Sequence, residues 1–188
     1  MTQSEISSDD YLKKIRGQSK KDRWEDNKFK GLVNMNIRQK GKFGELYGRD
    51  RMISLNHSVT KRTSSGHDYI IDGHKTEIKF GLCTKLDNSC IMNHISLKKD
   101  WDRILFIVFN KTEENNRFLW FTKEDFLKLE RNDNNLFKRL FSPQQGGKNI
   151  KNDDYMCTNI PLLLYQSFVH ELSDWEIHHS PLDEHFKK

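Results

Sequence analysis

Three side chains in this sequence have the types and spacing to act on a phosphate ester. They are Asp68, Glu77 and Lys79, within HDYIIDGHKTEIKF at 67–80. Paired carboxylates suit a hard divalent cation such as Mg²⁺, which is held through one or two carboxylates and keeps several waters. A cation so placed lowers the pKa of a water it holds and neutralises the charge that grows on phosphorus oxygens during attack on a phosphodiester. An ammonium beside it stabilises the same transition state or helps to position the water.

The three lie apart along the chain, so their chemistry depends on the backbone that gathers them. Asp72-Gly73 separates two apolar-rich runs, 67–71 and 74–80. Such a pair predicts a β-hairpin, because both central residues of a type I′ turn need positive φ. Strand alternation puts Glu77 and Lys79 on one side and Asp68 on the same side as Ile70. Simple register about the turn then brings Asp68 near the line of Glu77 and Lys79. A half-exposed strand with an ordinary solvated Glu/Lys pair has the same alternation, and the hairpin alone leaves both readings open.

Asp68 followed by Glu77-Ile78-Lys79 resembles the PD-(D/E)XK nuclease superfamily, with His67 where the family name has proline. The resemblance implies an α/β fold with a restriction-endonuclease-like core, a central mixed β-sheet flanked by α-helices. It implies that Asp68 and Glu77, with the Ile78 carbonyl, hold Mg²⁺, for which Mn²⁺ would substitute. Lys79 would orient or help deprotonate the attacking water, leaving a 5′-phosphate and a 3′-hydroxyl. In many members a helix before the hairpin adds a glutamate to the site, and Glu45 in KFGELYGR matches that place. A surface ion pair of Glu45 with Lys42 or Arg49 is the competing reading.

The flanking elements fit this order. Apolar residues at roughly helical spacing over 32–53 predict a helix before the hairpin. Gly41, Gly44 and Gly48 interrupt it, and glycines inside a helix cost about 1 kcal/mol each. They point to close approach of another backbone or of phosphates. Residues 8–16 read as a short helix, 18–30 as a charged peripheral helix or arm anchored by Trp24 and Phe29, and 54–66 as a strand-poor connection. After the hairpin, 91–97 is a short strand or helix. RILFIVFN at 103–110 is apolar enough to be buried on both faces, with 117–121 pairing to it. Thr122 caps a helix, a second follows at 134–141, and PLLLYQSFVHEL from Pro161 reads as a C-terminal helix.

Candidate phosphate contacts are Lys61, Arg62, Lys98, Lys99, Lys148 and Lys151. Asn93, His94, Gln144 and Gln145 are candidates for reading base edges. The loop SPQQGGKNIKN at 142–152 is either a DNA-contacting segment or a linker. The tail from Ser173, which carries Trp175, His178 and His179, reads as a frayed terminus, with a metal pair at the two histidines as the alternative.

Composition limits the classes. The 188 residues suit one domain: an N-terminal helical arm at 1–31, a catalytic core at 32–130, and C-terminal helices with the polar loop at 131–188. The net charge is +5, and the excess sits at the front: residues 1–51 hold thirteen Lys/Arg against eight Asp/Glu, while 111–188 hold eleven against thirteen. A basic front half suits a polyanion. Three cysteines without CxxC spacing argue against a disulfide framework or a structural zinc site and fit a reducing compartment. No run is long and apolar enough to span a membrane, and MTQSEISSDD is unlike a signal peptide.

The expectation is therefore a cytoplasmic, Mg²⁺-dependent endonuclease on double-stranded DNA, similar to small type II restriction enzymes. A homodimer would cut both strands, and a cognate DNA methyltransferase encoded nearby would fit. A resolvase or repair nuclease of the same fold, or a non-catalytic DNA-binding module, are the alternatives.

Overall fold

The computed structural model describes residues 7–16, 24, 27–62, 64–83, 90–110, 116–143, 154–163 and 165–175. In chain order the helices are α1 (Ser8–Arg16), α2 (Ile37–Ser54), α3 (Lys123–Asn132), α4 (Asn134–Leu140) and α5 (Ile160–Leu163). The strands are β1 (Val59–Lys61), β2 (Tyr69–Ile71), β3 (His74–Leu82), β4 (Met92–Ser96), β5 (Arg103–Phe109), β6 (Arg117–Thr122), β7 (Phe141–Pro143), β8 (Asp154–Cys157) and β9 (His170–Glu171).

Six strands form the central sheet in the order β1-β2-β3-β5-β6-β9. It is mixed: β3 and β5 run parallel, and the other neighbours are antiparallel. A second, antiparallel sheet is ordered β4-β8-β7. Every residue of β5 is buried, as its apolar run requires. Its faces divide the core. Leu105, Ile107 and Phe109 join α2 through Phe43 and Met52, with Trp24, Phe29 and Leu32. Ile104, Phe106 and Val108 join α3, α4 and the second sheet through Phe126, Phe137 and Met92.

Local chemistry sets the helix boundaries. The Asn36 side chain accepts from the Gln39 N–H at 2.9 Å, and Gln39 Oε1 accepts from the Asn36 N–H at 3.1 Å. This reciprocal cap starts α2 at Ile37 rather than at Leu32, where spacing alone put it. Two of the three glycines serve close packing. A Cβ on Gly44 would run into Phe80 Cβ, and one on Gly48 would sit 2.8 Å from Ile78 Cδ1. α2 therefore lies directly on β3. Thr122 and Asp125 cap α3 in the same reciprocal way, as expected of Thr122.

Three expectations are corrected. The connection 54–66 contains β1, which pairs with β2 in register Val59↔Ile71. The C-terminal helix is only α5; the chain then turns and lays β9 along β6, with the Trp120 indole N–H donating to the Glu171 carbonyl at 3.1 Å. The free edge of β6 competes successfully with helix propensity there. Trp175 is not frayed: it is fully buried and its Nε1–H donates to Asp72 Oδ2 at 3.0 Å. His178 and His179 lie outside the described residues. Among those described, no helix is long and apolar enough to cross a membrane.

The glycine contacts make a paired prediction. Gly44→Ala forces α2 off β3 and should lower stability by about 1–3 kcal/mol. Gly41→Ala, whose Cβ meets nothing within 4 Å, should raise it by roughly 0.5–1 kcal/mol through helix propensity. Urea unfolding midpoints of the two variants against the parent measure both signs.

Candidate active site

The β2–β3 hairpin has the register expected from its turn. Asp72 and Gly73 both take positive φ, 48° and 81°, and the strands pair Ile71↔His74, Ile70↔Lys75 and Tyr69↔Thr76. The turn is fixed from outside as well. Asp72 accepts from the Ser58 N–H at 2.8 Å, from His57 Nδ1–H at 2.8 Å and from the Trp175 indole. Burial pushes the Asp72 carboxyl up, but these donors outweigh it and hold it below the usual carboxylate range. Just beyond the paired residues, the Asp68 N–H donates to the Thr76 carbonyl at 3.0 Å. Asp68 thus stands opposite Glu77.

The site is built on that juxtaposition. Asp68 Oδ2 accepts from the Ile78 N–H at 2.7 Å. Glu77, buried, accepts from Lys79 Nζ and from Lys99 Nζ on the same oxygen, Oε1, each at 2.7 Å. Burial raises the Glu77 carboxyl, yet the two ammonium groups prevail and keep it below its ordinary value. Asp68 has no such cation in contact. Burial first, then the charges of Glu77 and Glu45, push its carboxyl up to about 6 against the Ile78 N–H and Lys79.

These groups line one cleft of about 500 Å³. Asp68, Glu77, Ile78 and Lys79 come from the hairpin, Glu45 and Gly41 from α2, Arg62 from beyond β1, Asn93 and His94 from β4, and Lys99 from the loop after β4. Glu45 lines the cleft and its charge acts on Asp68, and it also makes the expected surface ion pair, with Lys42 at 3.0 Å. A second pocket of about 590 Å³ adjoins the cleft through His94 and Lys99, and Lys98 lines it with Ser64, Ser65 and Ser96. Lys61 is exposed on β1 and lines neither. Gln144, Gln145, Lys148 and Lys151 lie outside the described residues.

The sequence reading missed three features. Lys99, expected on phosphate, is paired with Glu77; nothing in the local sequence marks it, because the contact spans 22 positions. Ile37 and Ile91, which the sequence reading gave no place in the site, stand exposed on the cleft. His67 is buried and donates from Nδ1 to the Asp100 carbonyl at 3.0 Å, tying the hairpin to the 97–102 loop.

The donor set fits a small divalent cation. Two crowded carboxylates, one of them pushed toward its neutral form by burial and by the other's charge, are a place where added positive charge is stabilised. Among the described residues no three His, Cys, Asp or Glu side chains form a closed cage. Mg²⁺ uses one or two carboxylates and completes its shell with water and phosphate oxygens, so it does not require such a cage.

No protein-family model matches the chain, and no curated protein matches it. Among solved structures, the chain is similar to a bacterial homing endonuclease at 17% identity and a TM-score of 0.38, over 49% of this chain and 69% of that one.

The Asp68 environment predicts a pH effect on stability of the cation-free protein. Its folded value, about 6, lies above its ordinary 3.8, so the folded state favours the protonated carboxyl and loses stability as pH rises from about 4 to 6. Asp68→Asn removes that loss. In chelator at pH 8 it should raise Tm by on the order of 5 °C, with the gain fading as pH falls through 6 toward 4. Thermal melts at several pH values check the direction.

Proposed function

We propose that this chain is a Mg²⁺-dependent endonuclease of the PD-(D/E)XK kind, hydrolysing phosphodiester bonds of double-stranded DNA as a type II restriction enzyme does. The observation that carries the reading is the meeting of Asp68, Glu77 and Lys79 in one cleft, from chain positions that only this hairpin register unites. A solvated strand pair would leave Glu77 exposed; here it is buried and paired with two ammonium groups.

When bound, the cation supplies charge neutralisation at the phosphate and acidifies the water it holds. Asp68, Glu77 and the Ile78 carbonyl are the groups that would hold it. The chain's own side chains do the rest. The Ile78 N–H holds one oxygen of the Asp68 carboxylate at 2.7 Å and so restrains its rotation. Lys79, largely shielded from solvent, keeps a positive charge beside the reacting phosphate, where low dielectric strengthens it, and orients the attacking water. Glu45 adds negative charge from α2 and supports the pair. Arg62 and Lys98 contact flanking phosphates, and Asn93 and His94 reach base edges. Cutting both strands calls for two copies related by a twofold axis.

Plasmid cleavage and gel-shift titration on the same preparations test this. Activity should require Mg²⁺ or Mn²⁺ and disappear in EDTA. Ca²⁺ should permit binding without cleavage, because its looser coordination places water poorly. Lys79→Ala should lower cleavage by on the order of 10²–10³ while DNA binding changes little. Parental cleavage by both Lys79→Ala and Asp68→Ala would make the hairpin purely structural and remove the assignment.

A further inference from the structure

Glu77 Oε1 already holds two ammonium groups, from Lys79 and Lys99, each at 2.7 Å. A divalent cation held between Asp68 and Glu77 would stand close to both ammonium groups, and like charges at such separations repel strongly in a partly buried site. Cation binding therefore favours the departure of one lysine. Their exposures decide which: the Lys79 side chain is 13% exposed and the Lys99 side chain 37%. Lys99 also has a place to go. It lines the second pocket as well as the cleft, beside Lys98, Ser64, Ser65 and Ser96, with Asp100 and Asp154 also on that pocket's wall.

Only the side chain is free to make this move. The Lys99 main chain is held on both sides: its N–H donates to the Ser96 carbonyl at 3.3 Å, and its own carbonyl accepts from the Trp101 N–H at 3.2 Å and from Lys123 Nζ at 2.7 Å. Lys75 pairs with the next residue, Asp100, at 2.9 Å. The loop is a fixed post from which one long side chain reaches either pocket. Asp100 is occupied by Lys75, and Asp154 lies 4.0 Å from His94 Nδ1.

We propose that Lys99 is an exchangeable cation. It occupies Glu77 while no divalent cation is bound, and cation binding releases it into the adjoining pocket, where it takes a backbone phosphate neighbouring the scissile one. The inference rests on the nuclease reading of the same site and adds a coupling to it: cation and DNA each bind more tightly when the other is present, because the move that admits one supplies a contact to the other.

The test uses the full chain and Ca²⁺, which supports binding without turnover. By calorimetry without DNA, Lys99→Gln should bind Ca²⁺ about tenfold more tightly than the parent, and Lys99→Arg, which retains the competing charge, should match the parent. Binding of a mixed-sequence duplex is then followed against salt, parent beside Lys99→Gln, in EDTA and in Ca²⁺. The slopes should agree in EDTA and differ by about 0.9 in Ca²⁺, the value for a single phosphate that the lysine neutralises and the glutamine does not. Equal Ca²⁺ affinity in parent and Lys99→Gln overturns the proposal, as does a slope difference of the same size in EDTA, which marks a fixed phosphate contact. If the parent gives no Ca²⁺ binding that Asp68→Asn weakens, the cation site itself fails, and the nuclease reading with it.

Discussion

The structure depends most on the pairing register of one hairpin. Side chains along a strand alternate between faces, so a slip of one residue between β2 and β3 would separate Asp68 from the side that Glu77 and Lys79 share. A two-residue turn fixes register only if it stays a two-residue turn. Asp72 secures this twice: its backbone takes the left-handed conformation the turn needs, and its carboxylate gathers donors from Ser58, His57 and Trp175. Those donors come from before β1 and from near the far end of the described chain. Distant segments therefore converge on the turn, so that the chain closes around the hairpin it must hold in register. Arg103 adds to this end of the sheet, its guanidinium 4.8 Å from the Trp120 ring and 4.9 Å from the Trp175 ring.

From the register follows a charge arrangement that does not favour the folded chain alone. Glu77 is well compensated, with two ammonium groups on one oxygen. Asp68 is not, and its carboxyl is driven toward the neutral form by burial and by two neighbouring acids. Strain of this kind is common where a protein is shaped for something it must bind. The two acids are unequal because their neighbours are: Glu77 sees lysines from its own strand and from the 97–102 loop, whereas Asp68 is in contact with one backbone N–H. The close seat of α2 on β3 brings Glu45 within electrostatic reach, and that seat exists because positions 44 and 48 lack side chains.

The sequence made legible what is local. The Asp-Gly turn, the apolar run of β5, the Thr122 cap and the strand that follows β5 are all set by residues within a few positions of each other, and the structure has them where the patterns placed them. The sheet edges were not legible. β1 and β9 are short strands whose conformation comes from a neighbour's unpaired backbone groups rather than from their own composition. The segment after Pro161 has helical spacing, but the edge of β6 and the Trp120 indole take its backbone instead. Trp175 follows the same rule: the polar tail around it reads as a fraying end, and only the folded sheet provides the acceptor and the rings that bury it.

The same distinction explains the site. Asp68, Glu77 and Lys79 were recognisable because a hairpin is a local device, and the chemistry of its turn predicts which side chains meet. Lys99 was recognisable only as a basic residue, since its approach to Glu77 depends on β3 and β5 running parallel with a loop crossing between them. A parallel pair needs a long connection, and whatever that connection carries past the strand ends enters the site. In this chain it carries β4 and then the pinned loop, so Asn93, His94 and Lys99 all reach the cleft from the crossover. The hairpin supplies two acids and one lysine, and the crossover supplies the residues that face them across the cleft. That division places the two acids on the part of the chain with the most strongly specified register, and three of their cleft neighbours on a connection outside it.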